Sequence, residues 1–169
     1  MLTNHTEWDF EACHPTILAG KATGYGMEAA TLRFYIANRA AVRRNIANDT
    51  GAALKAVKTA FNAVMYGAKV TPYERGSLLM TLGQSGYDAL TNHDLFRAIV
   101  SEMEDIKAEL FAEFSQKRGI KNPLGKLKPY NEIKNKNSAV SHIVQGFEAY
   151  MLDTVICALT QKREKMLQK

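Results

Sequence analysis

Cysteine, proline and tryptophan are scarce: two, four and one in 169 residues. Cys13 and Cys157 form no C-x-x-C pattern and leave no disulfide framework, so a reducing, cytoplasmic compartment is the expectation. No apolar run reaches the length of a bilayer span and no signal peptide opens the chain, so no membrane partner is expected. Internal repeats and low-complexity tracts are missing. His5, His93 and His142 have no metal-ligand spacing. Charge of neither sign dominates: 22 Lys+Arg against 17 Asp+Glu give +5, which suits an anionic partner without identifying one. What remains is an ordinary globular composition, long enough for one domain with a sizeable core.

That domain reads as mainly α, with at most one or two short strands. "TEWDF" alternates polar and apolar residues, as a short strand does. Pro15 suits the first turn of a helix, and "GKATGYG" reads as a loop. From Glu28 to about Asn48 a helical stripe carries Leu32, Tyr35, Ile36, Val42 and Ile46. "NDTG" breaks it, and Asp49 or Thr50 is positioned to cap a helix that runs to Tyr66 and stops at Gly67. "TPYERGSLLMTLGQSG" reads as turns with one short helix. Thr91 or Asn92 opens a long helix ending near Lys117, with Gly119 closing it. Residues 119–137 read as a basic loop, and Ser138 caps a last helix.

The helix before Gly67 has an apolar stripe of Leu54, Val57, Phe61, Val64 and Met65. Beside it, at i, i+4 and i+8, run Lys58, Asn62 and Tyr66. Such a row is either a solvated flank or a nucleotide-facing ridge. Lysine neutralises phosphate, and an aromatic one turn on packs against a base or sugar.

The K-x7-Y-G spacing of "KTAFNAVMYG" resembles motif B, the fingers helix of family A DNA polymerases and single-subunit phage RNA polymerases. The resemblance implies that Lys58 holds the incoming triphosphate and that Tyr66 sits at the nascent base pair. "WDFEACHPTIL" resembles motif A of the palm. It implies that Asp9 is the catalytic aspartate binding Mg²⁺, with His14 and Arg39 near the nucleotide and Glu7 and Glu11 on the same strand face as Asp9. "SAVSHIVQGFEAYMLDTVI" resembles the Gln-Gly helix of the same family, placing Gln145 near template and primer. The order and approximate spacing of all three agree with the family, and the wording of motif A is of a viral or mobile-element type. On this resemblance, residues 1–27 are a partial palm, 28–118 fingers-like helices, 119–137 the basic loop and 138–169 the Gln-Gly helix of a single domain.

The sequence also departs from that pattern. Asn62 stands where a bulky aromatic is usual, His14 where the DNA polymerases place a steric-gate glutamate, and Leu54 where an arginine is frequent. Arg39 and Glu148 each fall within an apolar stripe. Each needs a partner there, and each is a candidate for the other. Motif C and the thumb find no match. Two-metal phosphoryl transfer needs carboxylates for two cations, and Asp9 is one. The expectation is therefore a nucleotidyltransferase fragment or subunit, inactive alone. It would bind nucleoside triphosphate and primer-template, with a second polypeptide supplying motif C and thumb, in the host cytoplasm if viral.

Seven cations lie between Lys117 and Lys136, among them Lys121, Lys126, Lys128 and Lys134, with Tyr130 between them and Glu132 the one acid. This is the composition of a nucleic-acid-tracking segment and equally of a solvated loop. Two other classes fit the chain: a non-catalytic helical nucleic-acid-binding protein and a small viral protein-interaction module.

Overall fold

The computed structural model describes residues 13–66, 70 and 77–167. Asp9, Glu7, Glu11, the strand expected over "TEWDF" and the stop at Gly67 lie outside the described residues. The rest is mainly helical, as the periodicity predicts.

Helix α1 spans Cys13–Gly24, α2 Ala30–Thr50, α3 Leu54–Met65, α4 Ser77–Asn92, α5 Asp94–Phe114 and α6 Lys136–Leu167. Between α5 and α6 lie three short strands, β1 (Ser115–Gln116), β2 (Gly119–Lys121) and β3 (Leu127–Pro129), followed by one 3₁₀ turn, Tyr130–Glu132.

Several boundaries differ from the expectation. Most of "GKATGYG" is the second half of α1, whose inner face buries Leu18 and Ala22. Its glycines are tolerated because packing, not propensity, decides here. Asp49 and Thr50 end α2 and do not cap α3. Thr50 Oγ1 donates to the Ile46 carbonyl, and Gly51 closes the helix at φ 67°. The α2 start has a cap from elsewhere in the chain: the Glu102 carboxylate on α5 accepts the backbone N–H of Thr31 (2.9 Å) and Leu32 (2.7 Å). α4 is longer than expected, because the helix resumes after a break at Gly83, φ 68°. Thr91 and Asn92 therefore finish α4 and do not start α5. Asn135, not Ser138, caps α6. Its Oδ1 accepts the Ser138 N–H (2.9 Å) while Ser138 Oγ accepts the Asn135 N–H (3.3 Å), a reciprocal capping box.

The core gathers one face of every helix, and an aromatic cluster centred on Phe61 lies within it. Tyr35 stacks on Phe61 at 4.7 Å, and Phe96 meets it edge-on at 5.2 Å. Lys107 on α5 is 1% exposed. Its ammonium donates to the Val64 carbonyl (3.2 Å) and to Glu104 (3.0 Å), so a buried cation holds the C-terminal end of α3.

The basic loop is folded. β1, β2 and β3 form an antiparallel meander in sequence order, with Ile120 opposite both Ser115 and Lys128. Ile120 is fully buried and pins the meander to the core. Gly119 is obligatory, since a Cβ there would lie 2.2 Å from the Lys128 carbonyl oxygen.

One expectation about α6 needs correction: by length and composition, Lys136–Gln161 is long and apolar enough to cross a bilayer. Its first half, however, is spent on the core through Ala139, Val140, Ile143 and Val144. Residues 152–161 are exposed.

Candidate nucleotide and nucleic-acid interface

α3 turns Val57, Ala60, Phe61, Val64 and Met65 inward. Lys58, Asn62 and Tyr66 then share the outward flank, and all three are exposed. The row is fixed from the side by α2. Arg43 Nη2 donates to Asn62 Oδ1 (3.4 Å) and Arg43 Nε to the Tyr35 hydroxyl (2.9 Å). Burial pushes the Tyr35 hydroxyl up from the ordinary phenol value, opposed by the charge and hydrogen bond of Arg43 and the charge of Arg39. Both arginines therefore lie on the Tyr35 side of α2, one turn apart. Arg39 is half-buried and lines a shallow cleft with Ile36, Asn38 and Arg44, where α2 bends at Asn38 (φ −119°, ψ 22°). Asn38 Nδ2 donates to the Phe34 carbonyl at this bend.

At its far end the row meets two other helices. His14 of α1 is buried, and its ring packs edge-on against Tyr66 at 4.2 Å. His14 Nε2 donates to Glu148 Oε2 of α6 at 3.2 Å. Glu148, for which Arg39 was a candidate partner, thus has His14. Ser141 Oγ of α6 donates to the Tyr66 carbonyl (2.9 Å), giving the end of α3 an acceptor-side cap from outside the helix. The Tyr66 hydroxyl is raised by partial burial first, then by the charges of Glu148 and Cys13. Ser141 and Glu148 are seven residues apart on one helix face, and Gln145, exposed, lies between them on that face. His14, Tyr66 and Gln145 are therefore brought to one corner of the molecule. Lys58 lies two turns away along α3.

The next residue on α6, His142, donates through Nε2 to the Lys126 carbonyl (3.1 Å). The first turns of α6 thus touch Tyr66 through Ser141 and the meander through His142. Lys121, Lys126 and Lys134 are exposed, and Lys128 is half-buried. Lys121, Lys126 and Lys128 sit on the β2–β3 hairpin, not on the open loop that composition suggested, and Lys134 lies in the short connection between the 3₁₀ turn and α6.

Among the described residues no three His, Cys, Asp or Glu side chains come together in a metal-binding group. Sequence reasoning missed Arg43 and Ser141. Arg43 was legible as the residue four after Arg39, whereas Ser141 acts through a backbone carbonyl and leaves no side-chain pattern. No family model, no curated protein and no solved structure matches the chain.

Proposed function

We propose that the chain is the nucleotide- and template-binding piece, fragment or subunit, of a template-directed nucleic-acid polymerase. The observation that supports this reading best is the convergence at Tyr66. The helix following the motif A-like segment (His14), the motif B-like helix (Tyr66) and the Gln-Gly helix (Ser141, Glu148) meet within hydrogen-bond or ring-contact distance. These are the three segments in which the sequence resembles the family, and their contacts join residues far apart in the chain. In this reading Lys58 neutralises triphosphate charge. Arg39 and Arg43 supplement it from α2, Tyr66 braced by His14 packs against the base or sugar, and Gln145 faces the primer end. Magnesium enters only through Asp9, outside the described residues. In this reading the described residues serve the triphosphate side, and among them no three His, Cys, Asp or Glu side chains come together for a cation. On its own the chain binds without turnover, because the matched motifs contain one metal-binding aspartate and the reaction needs carboxylates for two cations.

A non-catalytic nucleic-acid-binding protein is the second reading. The ordered, lysine-bearing meander favours it, since that surface needs no Asp9.

Triphosphate titrations with primed template and magnesium test the first reading. Lys58→Ala weakens binding by about 1–3 kcal/mol, the range for a charge-assisted contact, and leaves the fold intact because Lys58 is exposed. Lys55→Ala, also exposed on α3, changes little. A wild-type chain that binds no triphosphate, or a Lys58→Ala variant that matches wild type, reduces the row to a solvated flank.

A further inference from the structure

Between Lys117 and Tyr130 the chain carries five cations and no carboxylate. Elsewhere cations are paired, Lys21 with Glu113, Arg97 with Asp94 and Lys107 with Glu104. None of these five has an ion-pair partner among the described residues. Lys117 and Arg118 form the turn between β1 and β2, Lys121 ends β2, and Lys126 and Lys128 flank Leu127 at the start of β3. Apolar side chains are interleaved with them. Leu124 in the β2–β3 turn, Leu127 on β3 and Tyr130 just past β3 are 51%, 42% and 44% exposed. Lys121 and Leu127 pair across the hairpin, so their side chains lie side by side on one face. The side chain of Tyr130 makes no ring contact and no hydrogen bond among the described residues. The backbone beneath is held firmly. The Lys126 N–H donates to Asn122 Oδ1 (2.9 Å), and the Lys126 carbonyl accepts from the Asn122 N–H (3.0 Å) and from His142 Nε2 (3.1 Å).

We infer that the meander selects single-stranded over double-stranded nucleic acid, with its cations on the phosphates and a base stacked on Tyr130. The inference rests on the nucleic-acid-binding reading above and adds to it the form of the partner. Charge alone draws both forms, because both carry a phosphate backbone. The exposed ring draws one of them. A duplex keeps its base faces inside its own stack, whereas an unpaired strand offers them, and an aromatic ring among cations is what stacks them. An anionic bilayer surface attracts the same charge, but the apolar groups are placed wrongly for it. Insertion needs them gathered at one tip. Here Leu124 is in the turn, and Tyr130 lies beyond the other end of β3, about 10 Å along the chain from Leu127. Apolar contacts spread along a strand between cations suit a partner that is itself a chain of alternating bases and phosphates.

Fluorescence-anisotropy titrations of the full chain test it, with labelled thymidine DNA and uridine RNA strands of about 15 nucleotides and a mixed-sequence duplex of the same length. At one salt concentration at least one of the single strands binds about tenfold or more tighter than the duplex. Tyr130→Ala loses about tenfold on that strand, as the loss of one stacked base does, and nothing on the duplex. Tyr130→Phe keeps the wild-type affinity, because the ring and not the hydroxyl stacks. Both variants keep the wild-type circular dichroism, since the side chain is exposed, and the duplex arm reports an intact meander. The inference is overturned if the duplex binds as tightly as both single strands, if Tyr130→Ala matches wild type on them, or if Tyr130 serves binding to anionic vesicles and not to the oligonucleotides. Equal, salt-dependent binding of all three oligonucleotides removes the selectivity and leaves the nucleic-acid reading standing. Binding of none of them removes that reading as well.

Discussion

Gly146 carries two meanings at one position. In the sequence it is the second half of a Gln-Gly pair that resembles a polymerase helix. In the fold it is a close-approach residue: a Cβ would lie 2.8 Å from both Asn122 and Pro123. Asn122 is itself buried and fixed, since its Oδ1 accepts the Lys126 N–H at 2.9 Å. It cannot retreat without breaking the turn that carries Lys126. Gly146→Ala therefore lowers stability by about 1–3 kcal/mol, as overpacking does. Gly20, inside α1 with nothing within 4 Å of its Cβ position, is the comparison. Gly20→Ala raises stability by about 0.5–1 kcal/mol through helix propensity. Thermal melts of the two variants check both signs. A neutral Gly146→Ala removes the packing explanation and leaves the glycine to be explained by its ligand. His14 teaches the same lesson from the other side. It reads as a substitution at a family position, but its burial and its contacts with Tyr66 and Glu148 fix it as a structural brace whatever the ligand.

At the scale of elements, the strongly periodic helices were legible. α2 and α3 fall where apolar spacing puts them, and the Lys58, Asn62 and Tyr66 row is exposed as an amphipathic helix requires. What stayed hidden was set by tertiary contacts. The start of α2 is capped by Glu102 from α5, seventy residues away, which no local pattern reveals. α4 hid in a segment that reads as turns with one short helix, while the structure carries the helix on past Gly83 with a bend there. The 119–137 segment read as a loop because two- and three-residue strands are too short for an alternation signal. Its order comes from buried Ile120 and the turn at Asn122. That order changes what its lysines can do. Cations on fixed hairpins neutralise several phosphates at once, without the entropy cost of ordering a loop on binding. For single-stranded nucleic acid the logarithm of affinity falls with the logarithm of salt, with a slope of about −0.7 per phosphate contact. Under the nucleic-acid readings proposed above, replacing Lys121, Lys126 and Lys128 of the meander with glutamine flattens that slope by up to about 2, at unchanged helicity. An unchanged slope in fluorescence-anisotropy titrations moves the nucleic-acid contact off the meander.

At the scale of the whole molecule, α1, α5 and α6 are joined by one polar contact set against an aromatic wall. Glu113 on α5 accepts from Lys21 Nζ at 2.8 Å and from the Tyr25 hydroxyl. Lys21 in turn lies 5.5 Å from the ring centres of Phe114 and Phe147, the second of them on α6. Burial pushes the Glu113 carboxyl up, but the hydrogen bonds of Lys21 and Tyr25 and the charge of Lys21 outweigh it, so the net shift is downward. Tyr25 moves the opposite way, raised by burial first and then by its hydrogen bond to Glu113 and the charges of Glu113 and Glu109. The signs give two limbs of a stability profile. A carboxyl lowered in the fold contributes stability that is present above its unfolded value and is lost as pH falls through the folded value. A phenol raised in the fold contributes stability that is present below its unfolded value, about 10, and is lost as pH rises toward the folded one. Melting temperature therefore plateaus from weakly acidic to weakly alkaline pH and falls on both sides. Glu113→Gln removes the acid limb at its source and shrinks the alkaline one, because Tyr25 loses the carboxylate that opposes its ionisation. Against wild type, the variant loses most at neutral pH and converges with it in acid. If the two melting profiles instead run parallel from acid to alkaline pH, the contact holds α1 to α5 by packing alone, and its charges contribute nothing to the joint.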